Sequence, residues 1–161
     1  MAALLSWVLA VPVHAAGIYQ LGVSEQAEKG ANWLVEYTYE DLTATTTNAT
    51  VQTLTDFAIK AKMGIELVGV VLNTAFDTAN TNFTGSLTLT IGDGTDADLF
   101  LESMELASDG TEVFLKLAAS GMKVYTADDT IDFALTQSAN EAATDNTSGK
   151  LRAYFRVWDV R

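Results

Sequence analysis

Past Gly30 the apolar positions of this chain recur at every second residue, and that period returns in run after run. "WLVEYTYED" (33–41) alternates and is rich in aromatic and β-branched residues, which predicts a strand. "GSLTLTI" (85–91) is the cleanest case. Leu87, Leu89 and Ile91 share one face and Ser86, Thr88 and Thr90 the other, so one side packs while the other meets water or a partner. "IELVGVVLNTAF" (65–76) is apolar almost throughout and suits a central strand buried on both faces. Further strands are expected at "EVFLKL" (112–117), "MKVYT" (122–126), "TIDFAL" (130–135) and "KLRAYFRVWDV" (150–160). The threonine-rich "TATTTNATVQTL" (43–54) favours extended chain and turns, and "LFLESMELA" (99–107) suits either a helix or a strand with a short helix. Before the alternation begins, a short helix is expected at 24–30. Ser24 would cap it, Glu25 and Glu28 would sit in its first turns, and Gly30 would end it.

Short strands divided by turn-like segments such as "SDGT", "TADD" and "SANEAATDNTSG" predict an all-β sandwich or barrel. No tandem repeat is present, which excludes solenoids and propellers. About eight strands in two facing sheets suit a jelly roll. The 161 residues are enough for one domain with a real core. We therefore expect a single β-sandwich domain over 18–161, preceded by an apolar segment over 1–17.

That segment, "MAALLSWVLAVPVHAAG", has two readings. "VHA" is similar to a signal-peptidase site, and cleavage there would leave a chain starting at Ala16. The only positive charge before His14 is the α-amino group, however, and the run is short for a bilayer span. The other reading is an arm whose large apolar side chains, Leu4, Leu5, Trp7 and Val8, dock on the same or a neighbouring subunit. His14, the only histidine, is then a bystander.

Charge and composition narrow the chemistry. The formal net charge is −12, a poor match to nucleic acid, and no membrane partner is expected. Without cysteine there are no disulfides, thiolate metal sites or cysteine nucleophiles. With a single histidine in an apolar segment, a Ser-His-Asp set lacks a base and a histidine-rich metal site is impossible. Nothing in the spacing of the twenty-one acids singles out a catalytic pair, so no enzyme and no cofactor is expected.

Two stretches remain as candidate sites. "IGDGTDADLF" (91–100) places Asp93, Asp96 and Asp98 close together, but the twelfth position counted from Asp93 is Met104, so an EF-hand loop fails. No Gly-Lys-Ser/Thr follows, so a phosphate loop fails too. A tight turn explains it, with glycine supplying positive φ and aspartate bonding nearby amides; a weak cation site at Asp93, Asp96 or Asp98 is the sharper reading. In the C-terminal strand, Leu151, Ala153, Phe155 and Val157 form one face, and Lys150, Arg152, Tyr154, Arg156 and Trp158 the other. Residues 63–115 carry nine acids and no base, while the last twelve residues hold four of the nine bases. Arg152, Tyr154, Arg156 and Trp158 therefore read as a subunit contact of complementary charge, against the plainer reading of a half-exposed edge strand. Asn48, Asn82 and Asn146 each head an Asn-x-Ser/Thr triplet, which chance explains in so threonine-rich a chain.

The strings "LVGVVLNTAFDTANTNFTGSLTLTIGDGTDADLFLESMEL" and "MKVYTADDTIDFAL" make the chain resemble small β-sandwich virion proteins encoded among the structural genes of tailed bacteriophages, over about residues 65–135. The resemblance implies an accessory structural role, as a capsid decoration or cement protein or a head-fibre or tail subunit. It further implies a jelly roll, a homo-oligomer with a trimer favoured, contacts with the major capsid or another virion protein, and location on the virion. It supplies no catalytic residues. The rival expectation is a secreted β-sandwich module that binds carbohydrate or a cell surface after losing its leader.

Overall fold

A computed structural model describes residues 17–43, 50–78, 87–106, 114–115, 121–137 and 142–160, which hold ten strands and one α-helix. In chain order these are β1 (Gly17–Gln20), α1 (Val23–Lys29), β2 (Trp33–Thr38), β3 (Thr50–Ile59), β4 (Met63–Thr78) and β5 (Leu87–Asp93). There follow β6 (Leu101–Glu105), β7 (Phe114–Leu115), β8 (Lys123–Val124), β9 (Asp129–Gln137) and β10 (Asn146–Asp159). One antiparallel sheet has the order β1-β2-β10-β4-β7, with β8 also on β4; the other has the order β3-β9-β5-β6. From β2 onward the chain passes from sheet to sheet at nearly every link, staying in the same sheet only between β5 and β6 and between β7 and β8. Strands β2-β10-β4-β8 facing β3-β9-β5-β6 are the two interleaved Greek keys of a jelly roll, with β1 added at one edge.

The alternation does what it predicts. Leu87, Leu89 and Ile91 are 1 % exposed or less, and they face Leu151, Ala153 and Phe155, all fully buried, across the space between the sheets. Phe155 sits at the centre, its ring 5.2 Å from that of Phe57, 6.1 Å from Phe133 and 6.4 Å from Phe100. Burying side chains of this size contributes about 2 to 3 kcal/mol each, the main force closing the sandwich. Strand β4 is covered on both faces: Val70 and Leu72 enter the main core, while Val71 joins Leu21, Ala31 and Tyr154 in a second cluster on the outside of the sheet.

Four local expectations change. The helix starts two residues early in its cap, at Gly22 and not Ser24, because the Glu25 carboxylate reaches back to accept the Gly22 N–H at 3.1 Å. It stops where expected, at Gly30, which has φ 69°. Strand β2 ends at Thr38, where the Asp41 carboxylate takes the Thr38 N–H (2.7 Å) and hydroxyl (3.1 Å) and bends 39–41 into a 3-10 turn. Within 99–107, Leu101–Glu105 form a strand, β6, and "GIYQ" forms β1, which periodicity does not mark because four residues are too few to show a period.

Candidate functional site

The 91–100 segment joins β5 to β6 and is built around Asp93, whose side chain is fully buried at the end of β5. One carboxylate oxygen accepts the N–H groups of Thr95 (2.9 Å) and Asp96 (3.0 Å), which forms the turn. The other accepts the Tyr125 hydroxyl (2.8 Å) and the Lys123 ammonium. Burial alone would raise the Asp93 pKa. The hydrogen bonds from Lys123, Thr95, Tyr125 and Asp96 outweigh it and hold the carboxyl down at about 2. Burial and the facing Asp93 charge push the Tyr125 hydroxyl far up, so it stays a donor. Because Asp93 belongs to one sheet and Lys123 to the other, the contact ties the two sheets together.

Two details of this segment differ from expectation. Neither Gly92 nor Gly94 has a positive φ. Gly92 is required by proximity instead, since a Cβ there would lie 2.0 Å from the Asp96 carbonyl oxygen. The three aspartates also do not act together: Asp93 is spent on internal donors, while Asp96 and Asp98 are exposed. Hydrogen bonding between the Asp96 and Asp98 carboxyls raises the Asp98 pKa. Among the described residues no group of three His, Cys, Asp or Glu could hold a metal ion.

The C-terminal strand is central. β10 pairs with β2 on one side and β4 on the other, so the edge-strand reading is corrected; the charged alternation arises because neighbouring strands supply the counter-charges. Arg152 Nε donates to Glu36 at 2.7 Å, and Lys150 Nζ lies 2.9 Å from the other oxygen of that carboxylate. Burial raises the Glu36 pKa, but the two bases outweigh it and leave it lowered. Arg156 donates to Glu66 at 3.1 Å and to the Gly30 carbonyl at 2.9 Å, fastening the α1 connection across the sheet. Tyr154 is 7 % exposed and packs with Leu21, Ala31 and Val71 inside the same chain. Of the four candidate residues here, three are thus held by intrachain partners.

Trp158 is different. Its indole lies over Gly64, where a Cβ would come within 2.2 Å of the ring. Gly64 pairs with Trp158 on one side and Val124 on the other, so the half-buried indole and Val124 (48 % exposed) flank it in one row. Met122, 70 % exposed, extends this apolar surface along the sheet edge. The sequence marks Met122 and Val124 only as two apolar residues at alternate positions of the strand expected at 122–126. Leu4, Leu5, Trp7 and Val8 lie outside the described residues, as do Asn48 and Asn82. Asn146 is buried and donates to Gln137 Oε1 at 3.4 Å, a place where no glycan fits. No helix of the described residues is long and apolar enough to cross a membrane.

No protein-family model matches the chain, and no curated protein does. A chain of the cyanophage Pam1 capsid asymmetric unit is similar to it, with a TM-score of 0.48 and 23 % sequence identity over 80 % of this chain and 82 % of that one.

Proposed function

We propose that this protein is an accessory structural component of a tailed-phage virion, a capsid decoration or cement protein that works by contact and not by catalysis. One observation carries the reading. The two strings that resemble phage virion proteins, 67–106 and 122–135, supply β9, β5 and β6, three neighbouring strands of one sheet, and β8 with most of β4 in the other. They meet at the Asp93–Lys123–Tyr125 contact, so the resemblance follows the part of the chain that holds the two sheets in place.

In this reading a closed, rigid sandwich presents contact surfaces to other copies and to the major capsid protein. Trp158, Val124 and Met122 form one such surface, and the apolar N-terminal arm a second. Repeated weak contacts on a lattice give firm attachment from modest single interfaces. A trimer is the expected assembly. The test is to purify particles encoded by the same genome, identify their proteins by mass spectrometry, and add back Trp158→Ala/Met122→Ser protein to particles lacking this chain. The protein is expected in the particles at a fixed copy ratio, and the double variant is expected to fold normally but to bind them at least tenfold more weakly. Absence from purified particles overturns the proposal.

A further inference from the structure

At the end of the sandwich opposite the Asp93 turn, a groove of about 320 Å³ opens where the 39–41 turn meets the start of β10 and the late part of β4. Small-ligand sites begin at about this size. Its geometry is built by irregularity: β10 slips register against β4 between Asn146 and Ser148, between Ser148 and Lys150, and between Lys150 and Leu151. Such bulges redirect side chains locally and are over-represented beside binding sites. Gly149, inside the slip between Ser148 and Lys150, has φ 141° and would place a Cβ 2.3 Å from the Phe76 ring, so the distortion is anchored in the core.

The lining has a specific chemistry. Five hydroxyl-bearing residues line it: Thr38, Tyr39, Thr74, Thr147 and Ser148. Four of these spend their proton inside the fold: Thr147 donates to the Asp77 carbonyl (3.4 Å), Ser148 to the Ala75 carbonyl (3.3 Å), Thr38 to Asp41 (3.1 Å) and Tyr39 to Glu40 (3.4 Å). What they still offer is lone pairs. Glu40 adds an acceptor, and Lys150, already 2.9 Å from Glu36, brings little free positive charge. Tyr39 packs against the main core and also lines the groove. A groove whose surface is mostly apolar and whose polar groups are mainly acceptors, on a chain of net charge −12, suits an uncharged ligand that combines apolar faces with hydroxyl donors, and it disfavours phosphates and other anions.

We propose that this groove is a binding site for an uncharged saccharide. The proposal stands apart from the virion reading and can fail without it. The experiment is an amide chemical-shift titration of the full ¹⁵N-labelled chain with glucose, galactose, N-acetylglucosamine, maltose and cellobiose, and with inorganic phosphate in a parallel arm. At least one sugar is expected to shift the amides of Thr38–Glu40 and Thr147–Lys150 in a saturable way. Thr74→Trp, an exposed substitution that fills the groove, is expected to abolish those shifts without lowering the melting temperature. Glu40→Gln, also exposed, is expected to weaken binding by about fivefold, the size of effect from losing a charged acceptor. No shift with any sugar, or sugar shifts elsewhere that survive Thr74→Trp, overturns the site; phosphate shifting the groove in place of sugars overturns the ligand class.

Discussion

Replacing Asp93 by asparagine keeps the side chain's size and one acceptor oxygen but removes the charge that Lys123 and Tyr125 face. Breaking a buried charged contact from one side is costly because the remaining partners lose their counter-charge. Lys123 is about one-third exposed and recovers part of that loss from water. Asp93→Asn is therefore expected to lower stability by about 2 kcal/mol at neutral pH, measured by urea unfolding. Tyr125→Phe removes only the 2.8 Å hydroxyl bond and is expected to cost about 1 to 2 kcal/mol. A variant of either kind that unfolds at the same urea concentration as the parent would mean that the sheets do not depend on this contact. The turn chemistry at 91–100 was legible in the residues themselves, because Asp-Gly and a following amide act within five positions. The partners Lys123 and Tyr125 were not, since they lie some thirty residues away and arrive only once the second sheet is in place.

The same contrast between local and distant governs whole strands. The faces of β5, β9 and β10 follow from alternation, and the near-continuous run in β4 announces burial on both sides. Which strand lies beside which is decided by pairs such as Glu36–Arg152 and Glu66–Arg156, 116 and 90 residues apart, and no local pattern carries that information. The basic face of β10 consequently looks like an unpaired edge in the sequence and is an internally neutralised centre in the fold. Charge reversal on this strand should then act on folding. Arg152→Glu sets a second acid against Glu36, whose side chain is 18 % exposed, and is expected to destabilise by about 2 kcal/mol or more. Lys60→Glu breaks a pair whose side chains are 70 % and 61 % exposed and is expected to leave stability nearly unchanged. Thermal unfolding of the two single variants reads the difference directly. Equal losses would show that the strand's central place does not set the strength of its ion pairs. For a contact surface, Trp158 and Met122 are the informative positions, because their removal leaves these pairs intact.

For the whole molecule, the described cations of β10 are satisfied inside the chain, so the acidic excess falls on the remaining surface. Mutual repulsion of that excess opposes the compact state at neutral pH and weakens as carboxylates protonate. Asp98, whose carboxyl is raised by hydrogen bonding with Asp96 beside it, binds its proton more readily in the folded chain, so its protonation as pH falls favours the folded state. Asp93 acts in the opposite sense. Its folded pKa, about 2, lies below the ordinary value of 3.8, so its contribution is complete above about pH 4 and is lost as pH falls from there towards 2. Stability is therefore expected to rise modestly from pH 7 to between about 4 and 5, then to fall steeply below 4. This range includes the isoelectric point of about 4.2, where solubility is lowest, so the melting temperatures are best taken in dilute solution. Adding 0.3 M salt should flatten the upper limb by screening the exposed charges, and it should leave most of the acid limb in place because the Asp93 carboxylate is buried. In Asp93→Asn the acid limb should shrink while the upper limb stays. A profile for that variant with the parent's full acid limb would place the acid sensitivity in some other carboxylate and remove Asp93 as its origin.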